Sequence, residues 1–246
     1  MDSFGLRALP LLCLLWVAPL AAVPPFVTST ETAPFVSTSP AEDPQAWLLA
    51  FIDVETTGLV PGWHEMIDIG VVMAELDGSE LEALHLRIQP AHPERMSDGA
   101  RRVNAFDAER WREFSAVDAQ GAVDELRSFH HRVAGTRPVL FVAFNSQFDA
   151  AFLDHLFRQV DGSWRELFHY FVLDVPSMAW ALGLRGLSGA ALATELGVGD
   201  EPRVAEEHTG LTGARLNAPF LNSELYFLLF GINTSSAHYE AFLKCP

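Results

Sequence analysis

Apolar positions follow one another almost without a break in two stretches of the chain. The runs "LLAFIDV" and "MIDIGVVMA" predict buried strands at 48–54 and 66–74, because a strand covered on both faces is apolar throughout. A turn at Asp77-Gly78 then leads into "ALHLRIQ", where polar and apolar residues alternate. That alternation predicts a half-buried strand at about 83–89. The pattern therefore predicts three successive strands joined by hairpin-scale turns.

Further along the chain, the pattern predicts strands that alternate with helices. Residues 90–117 are polar and predicted to be irregular, apart from a short helix at about 107–114. The later elements predicted are an amphipathic helix at 118–133, a buried strand at 138–144, a helix from near Gln147, a short strand at 170–175, and helices at 176–183, 188–197 and 209–230. This order predicts an α/β fold, with a sheet of mixed strand direction covered by helices.

The chain begins with a stretch typical of a secretory signal peptide. Arg7 precedes an apolar run that ends near Ala22 and contains Pro10 and Pro19, so the run is too short and too broken for a membrane-spanning helix. We therefore expect a secreted or extracytoplasmic protein with no stable membrane association after the signal is removed. The predicted organisation is a signal peptide at 1–22, a Pro/Ser/Thr-rich linker at 23–44, a folded domain at 45–235 and a tail at 236–246.

Composition and charge narrow the classes of function. With 246 residues, of which 49% are hydrophobic, the chain can form one globular domain plus extensions. Once Cys13 leaves with the signal peptide, Cys245 remains alone, which excludes an intrachain disulfide or a cysteine zinc site. The net charge of −16 argues against a broad grip on long nucleic acids. A site for chain ends or short oligomers stays open, since a bound metal can supply positive charge.

Two acids stand in the first buried run, where a strand is otherwise apolar. Asp53 and Glu55 in "FIDVETTG" project from the same side of the strand, and at about 5 Å their charges repel by roughly 3 kcal/mol at an effective dielectric near 20. A single acid could simply mark the end of a strand. A pair at the carboxyl end of the first strand of an α/β sheet indicates a ligand site, because ligands bind in the crevices there.

Two further candidates come from distant parts of the chain. Asp149 lies at the start of a helix in "FNSQFDAAF", where an acid is either favoured by the helix dipole or part of the same site. His208 in "EEHTGLTGARLN" precedes another helix, and by itself a histidine is more often structural. Asp154 and Asp174 are interpreted as solvated helix surface.

Taken in order, these motifs resemble those of the DEDDh 3′–5′ exonucleases, a family that includes polymerase proofreading subunits, oligoribonuclease and ribonuclease T. The family's D-x-E-T-T-G motif is matched in full from Asp53 to Gly58, and H-N-A-x-F-D is matched in part by "FNSQFD" at 144–149. His208 matches the start of H-x-x-x-x-D, but the position of the final acid holds Gly213. The resemblance covers roughly residues 48–231.

The resemblance implies a ribonuclease H-like fold, in which helices flank a mixed five-stranded sheet, and phosphodiester hydrolysis with two Mg²⁺ or Mn²⁺ ions. It implies that Asp53 bridges both ions, and that Glu55 completes one metal site and Asp149 the other. It also implies that His208 is the general base. The residues that it places around the 3′-terminal nucleotide are Thr56, Thr57, Gly58, Leu59, Asn145 and Phe148.

Gly213 departs from the family pattern, in which an aspartate at this position helps to hold a metal ion. Neither Thr212 nor Asn217 supplies the missing charge, and Glu224 lies about 16 Å further along the predicted helix at 1.5 Å per residue. We therefore expect one metal site to be weakly occupied until substrate phosphate adds negative charge. We also expect Gly213→Asp to raise activity.

Three hypotheses about function follow. The first is a secreted, metal-dependent 3′–5′ exonuclease that releases nucleoside monophosphates from single-stranded or short DNA or RNA. The second is an exonuclease-fold module that binds 3′ ends without cleaving them, and the third is a structural domain whose acid pair is a relic. We favour the first, because the acid pair, Asp149 and His208 are all present together. The sequence does not decide between RNA and DNA, and it leaves the oligomeric state open.

Overall fold

The computed structural model describes residues 39–199 and 204–222, without the side chains of residues 221 and 222. The predicted signal peptide, most of the predicted linker, the tail and the second half of the helix predicted at 209–230 lie outside the described residues. Within the described ranges, no helix is long and apolar enough to cross a membrane.

A five-stranded sheet forms the centre of the fold, in the order β3-β2-β1-β4-β5. β1 pairs antiparallel with β2 and parallel with β4, so the sheet is mixed, as the sequence predicted. β2 pairs antiparallel with β3, and β4 pairs parallel with β5. The strands are β1 (Leu48–Thr56), β2 (Met66–Glu75), β3 (Glu80–Arg87), β4 (Val139–Ala143) and β5 (Val172–Asp174).

Seven helices surround the sheet in the described part of the chain. They are α1 (Asp98–Asn104), α2 (Ala108–Glu113), α3 (Ala119–Ala134), α4 (Ser146–Arg158), α5 (Val175–Ala181), α6 (Gly189–Leu196) and α7 (Gly210–Asn222). The prediction of an irregular segment was wrong for α1, which lacks an apolar period but begins where the Ser97 side chain accepts a hydrogen bond from the Ala100 N–H. The other helices begin within a few residues of their predicted positions, and α2, α3, α5 and α6 also end near theirs.

The two faces of β1 contribute to two separate apolar cores. Even-numbered residues such as Ile52 and Val54 pack with apolar residues of α3 and α4. Odd-numbered residues such as Leu49 and Phe51 pack with residues of α5, α6 and α7. Because side chains alternate along a strand, Asp53 continues the odd-numbered face and lies on the α7 side of the sheet.

The carboxyl end of β1 is where the acids lie, and β4 ends at the same edge because the two strands are parallel. Their register pairs Leu48 with Val139 and Phe51 with Val142. The chain leaves β4 through Asn145, whose φ of 64° is left-handed, a conformation that asparagine tolerates better than most residues. This sharp turn sends α4 back across the edge of the sheet, directly beside the acids of β1.

Candidate active site

Glu55 is the meeting point of two motifs that are far apart in sequence. Its side chain is buried near the end of β1, and its Oε1 lies 2.9 Å from Nε2 of His208. The histidine lies just before α7, which begins at Gly210. The contact is a hydrogen bond between the two side chains, and it fixes the orientation of the imidazole ring relative to the carboxylate.

Asp149 reaches the same strand from the opposite side of the sheet. Its Oδ1 accepts the backbone N–H of Val54 at 3.1 Å, so its carboxyl group lies between the two acids of β1 along the chain. The residue is only 2% exposed. Burial raises the pKa of Asp149 well above its ordinary value, and the charges of Glu55 and Asp174 raise it further, whereas backbone N–H groups of Asp149 and Val54 lower it.

Asp174 takes part in this arrangement, although we interpreted it from the sequence as solvated surface. It accepts the Ser146 N–H at 2.9 Å at the start of α4, and the Ser177 N–H at 3.1 Å at the start of α5. Its carboxylate therefore holds the two helix starts together and lies close enough to influence Asp149. The signal in the sequence was an acid at a strand end followed two residues later by Pro176, a typical helix-start pattern.

The helix that follows His208 approaches the sheet backbone to backbone. A Cβ atom placed on Gly210 would lie 2.5 Å from the backbone N of Gly70 and 2.6 Å from the carbonyl oxygen of Asp53. The Gly210 N–H donates to Oδ1 of the buried Asp68 at 2.9 Å. Further along α7, the Asn217 side-chain amide donates to the Ile52 carbonyl oxygen at 3.2 Å. These contacts place His208 beside the end of β1.

Gly213 faces Asp53, and the contact is close. A Cβ atom on Gly213 would lie 2.4 Å from Oδ2 of Asp53 and 2.5 Å from its Cγ. The space that an aspartate side chain would enter is therefore taken by the carboxyl group of Asp53. The nearby polar residues of α7 are engaged elsewhere: Thr212 Oγ1 donates to the Thr209 carbonyl oxygen at 2.7 Å, and Asn217 bonds Ile52. Glu224 lies outside the described residues.

The residues that the resemblance placed around a 3′ end form an ordered turn directly after the acids. Thr56 Oγ1 donates to the Gly58 carbonyl oxygen at 2.7 Å, and Thr57 Oγ1 accepts the Glu65 N–H at 2.9 Å. Leu59 is 79% exposed at the tip. The ring of His64 lies where a Cβ atom of Gly58 would be, 2.3 Å from it, so only glycine fits there without a shift of the ring.

The two other residues assigned to the substrate lie at the start of α4. The Phe148 ring contacts the Phe152 ring at a tilt of 53°, with ring centroids 4.9 Å apart, and packs against the core on that side of the sheet. The Asn145 side-chain oxygen accepts a hydrogen bond from the Gln147 amide at 3.2 Å. Their assignment to substrate binding stays a prediction.

The chain is similar to known 3′–5′ exonucleases in sequence and in fold. No protein-family model matches the chain. The 3′–5′ DNA exonuclease Cap18 of Escherichia coli is 27% identical over 175 residues, which cover 68% of this chain and 86% of Cap18. The nuclease domain of 3′hExo, a DEDDh family member solved with bound rAMP, has a TM-score of 0.59 at 14% identity, over 74% of this chain and 91% of that domain. This chain is similar in sequence to a 3′–5′ DNA exonuclease and shares the fold of a DEDDh nuclease domain.

Exonuclease I shares the fold as well, with a TM-score of 0.60 at 14% identity over 79% of this chain. The match covers 45% of Exonuclease I, so the present chain corresponds to less than half of that protein. A zinc-bound form of the E. coli enzyme in complex with single-stranded DNA matches at a TM-score of 0.59 and 14% identity, over 80% of this chain and 45% of that one. The sequence similarity to a 3′–5′ DNA exonuclease supports a phosphodiester hydrolase.

The carboxylates at this strand end fit a divalent cation in chemical type. Oxygen ligands suit Mg²⁺ and Mn²⁺, and the buried Asp149, whose charge is disfavoured where it lies, would be stabilised by a cation. Across residues 39–199 and 204–222, no three His, Cys, Asp or Glu side chains already form a metal-holding group. Glu55 bonds His208 and Asp149 bonds Val54.

Proposed function

We propose that the protein is a divalent-metal-dependent 3′–5′ exonuclease that releases nucleoside monophosphates from single-stranded or short nucleic acid. The observation that carries the proposal is the contact of Glu55 with His208 at 2.9 Å, on the strand whose Val54 N–H also binds Asp149. Three motifs from distant parts of the chain meet at one strand end.

The chain's own residues have distinct tasks in the proposed reaction. A ring nitrogen of His208 removes the proton from the attacking water, and Glu55 holds the ring in the orientation for that transfer. Asp53, Glu55 and Asp149 would hold the divalent cations, which lower the pKa of bound water and neutralise charge on the phosphate. The turn from Thr56 to Leu59 would receive the terminal nucleotide.

The number of carboxylates sets an expectation for metal binding. Three carboxylates carry less charge than two divalent ions, and Gly213 adds none. We expect one tightly bound Mn²⁺ in a calorimetric titration of the free protein and a second ion only with a nucleotide present. Two tight ions without nucleotide would contradict this expectation.

The proposed substrate is a short or single-stranded chain. Cap18 is named a DNA exonuclease, Exonuclease I has been solved with single-stranded DNA, and 3′hExo with rAMP, so both sugar types remain candidates. The net charge of −16 would repel long polyanions at low salt. We also propose that residues 1–22 direct the protein out of the cytoplasm, which amino-terminal sequencing of protein recovered from the medium or periplasm would test.

The decisive experiment is digestion of a 5′-labelled single-stranded oligonucleotide with Mg²⁺ or Mn²⁺, with EDTA as the control. The expected product is a ladder that shortens from the 3′ end. His208→Ala should lower the rate by about 10²–10⁴-fold, the range for loss of a general base. Asp154→Asn is the matched control, because this acid lies on the surface of α4 and pairs with Arg158. Binding without cleavage would contradict the proposal.

A further inference from the structure

The loop between β1 and β2 presents large apolar side chains to solvent next to the active site. Leu59, Val60 and Trp63 are 79%, 54% and 56% exposed. The loop is nevertheless well ordered by its own hydrogen bonds, since the N–H groups of Trp63 and His64 donate to the Val60 carbonyl oxygen at 3.2 and 2.8 Å. An ordered loop that exposes apolar groups is typical of a binding surface.

A second segment fixes the position of the tryptophan. Both carboxylate oxygens of the buried Glu65 accept backbone N–H groups, from Ala91 at 3.1 Å and His92 at 2.7 Å. This brings Arg95 over Trp63, with the guanidinium carbon 4.4 Å from the ring centroid. The arginine supports the indole ring, and more than half of the tryptophan side chain still faces solvent.

Positive charge lies on a helix joined to the same strand end, in a chain whose net charge is −16. α1 carries the exposed Arg101 and Arg102, and it is fastened to the end of β1. The Ser97 N–H donates to the Thr57 carbonyl oxygen at 2.8 Å, and the Asn104 amide donates to the Thr56 carbonyl oxygen at 2.9 Å. Glu94 offsets part of the charge of Arg95, at 4.0 Å from its Nε. Arginines beside an exposed aromatic are complementary to a nucleic-acid backbone and its bases.

We propose that Trp63, supported by Arg95, is a stacking platform for a base upstream of the 3′-terminal nucleotide, and that Arg101 and Arg102 contact the phosphates of that strand. The inference rests on the proposed exonuclease function, and it specifies the substrate as single-stranded. Only a single strand offers a base face to an aromatic side chain, because the bases of a duplex already stack on one another.

The chain provides a matched control for this platform. Trp180 on α5 is 52% exposed, and the guanidinium carbon of Arg185 lies 4.3 Å from the centroid of its ring. This second pair has the same local geometry as Trp63 with Arg95. It is not part of the loop that follows the acids of β1. Trp180→Ala therefore removes an equally exposed, arginine-supported indole without removing the proposed platform.

The test compares two substrates on the full chain with Mn²⁺: a single-stranded 12-mer, and the p-nitrophenyl ester of thymidine 5′-monophosphate, which has no upstream base. Trp63→Ala should raise the ratio of the KM for the 12-mer to the KM for the ester about tenfold, within the range for loss of one stacked base. Trp63→Phe should recover most of this change, and Trp180→Ala should leave the ratio as in the wild type. An unchanged ratio in Trp63→Ala would overturn the platform.

Equilibrium binding of a fluorescent 12-mer separates failure of the platform from failure of the proposed function. If the wild type binds without cleaving, the exonuclease proposal fails, and a roughly tenfold weaker Kd in Trp63→Ala still supports the platform. If the wild type cleaves and Trp63→Ala binds equally well, only the platform fails. The double variant Arg101→Gln with Arg102→Gln should bind with a shallower slope of log Kd against log salt concentration. The expected reduction in slope corresponds to the loss of about two phosphate contacts. If the slope of log Kd against log salt is the same as in the wild type, the two arginines do not contact phosphates of the bound strand.

Discussion

Two helices bring residues from distant parts of the chain to the end of β1, and they are held there by opposite means. α4 carries Asp149 and is fastened by large buried side chains, with Phe152 and Phe157 fully enclosed in the core. α7 follows His208 and packs closely against the sheet at Gly210 and Gly213, which have no side chains to keep the two apart. The α4 side of the site is thus sensitive to lost packing and to buried charge. The α7 side is sensitive to any atom added at its glycines.

The difference matters because the two halves meet across a single strand. A shift of α7 by the width of one carbon atom would separate His208 from Glu55, whereas the position of Asp149 is fixed by a hydrogen bond to the backbone of the strand itself. Proton transfer depends on such distances more strongly than folding does. Substitutions on the α7 side should therefore affect activity more than their effect on stability suggests.

Gly210→Ala should have the largest effect. Its Cβ would overlap backbone atoms of Gly70 and Asp53, which cannot rotate away, so the helix must move off the sheet. We expect a loss of roughly 3 kcal/mol in the free energy of unfolding, the upper part of the usual range for overpacking, and at least about a hundredfold loss of nuclease activity. Urea denaturation and the oligonucleotide assay would measure the two effects.

Gly189→Ala is the matched control for that experiment. Gly189 also lies in a helix, but the nearest atom to its added Cβ would be Leu216 Cδ2 at 4.0 Å, an ordinary contact. The control should be neutral or slightly stabilising, because alanine favours a helix more than glycine does. If Gly210→Ala behaved like Gly189→Ala, close backbone approach could not be what positions α7.

Asp68→Ala should have the second largest effect, because it removes the acceptor that holds the start of α7. The buried Gly210 N–H would lose its partner, and His85 would lose a 2.7 Å contact. We expect destabilisation by about 2 kcal/mol, typical of an unsatisfied buried group. Asp68→Ala should also lower kcat, because the bond to Gly210 holds the start of α7 beside β1. Asp68→Asn keeps an oxygen toward Gly210 and should recover much of that loss in kcat. Equal kcat values for the Ala and Asn variants would assign Asp68 a purely structural role.

Gly213 allows a comparison of an added atom with an added charge. Gly213→Ala should lower kcat/KM about tenfold, equivalent to about 1.4 kcal/mol, because its Cβ forces the Asp53 carboxyl group to turn. Gly213→Asp pays the same steric cost but returns a carboxylate, so its activity should exceed that of the Ala variant. The sequence predicted a gain over the wild type, and the close contact of Gly213 with Asp53 limits the prediction to a gain over the Ala variant. An Asp variant no better than the Ala variant would mean that charge is not limiting.

The sequence predicted the strands well because their buried runs are long and apolar, and the motif at Asp53 pointed to the strand end where Glu55 and His208 meet. It missed α1, whose polar sequence carries no periodic signal, and it misjudged Asp174, whose two hydrogen bonds depend on where α4 and α5 begin. The approach of Gly210 to Gly70 could not be predicted, since it depends on which helix crosses which strand. Local sequence patterns therefore predicted most helices and strands, whereas the contacts of Asp174 and Gly210 depend on how these elements pack together.

Asp149→Asn should have the smallest effect on stability, and of the opposite sign to the substitutions on α7. The buried carboxyl group has a pKa raised chiefly by desolvation, so its charged form destabilises the folded protein at neutral pH. Asparagine is neutral and of similar size. In EDTA at pH 7 we expect a gain in the free energy of unfolding, together with loss of nuclease activity.

The pH dependence gives that prediction its direction. Below the ordinary carboxyl pKa of 3.8, Asp149 is protonated in both the folded and the unfolded protein, so wild type and variant should unfold alike. As the pH rises through the raised pKa of the folded state, the wild type loses stability relative to the variant. Mn²⁺ should return stability to the wild type alone, and Asp154→Asn should follow the wild type throughout. A variant less stable than the wild type at pH 7 in EDTA would mean that backbone N–H groups, rather than burial, dominate at Asp149, and that α4 holds a stable anion.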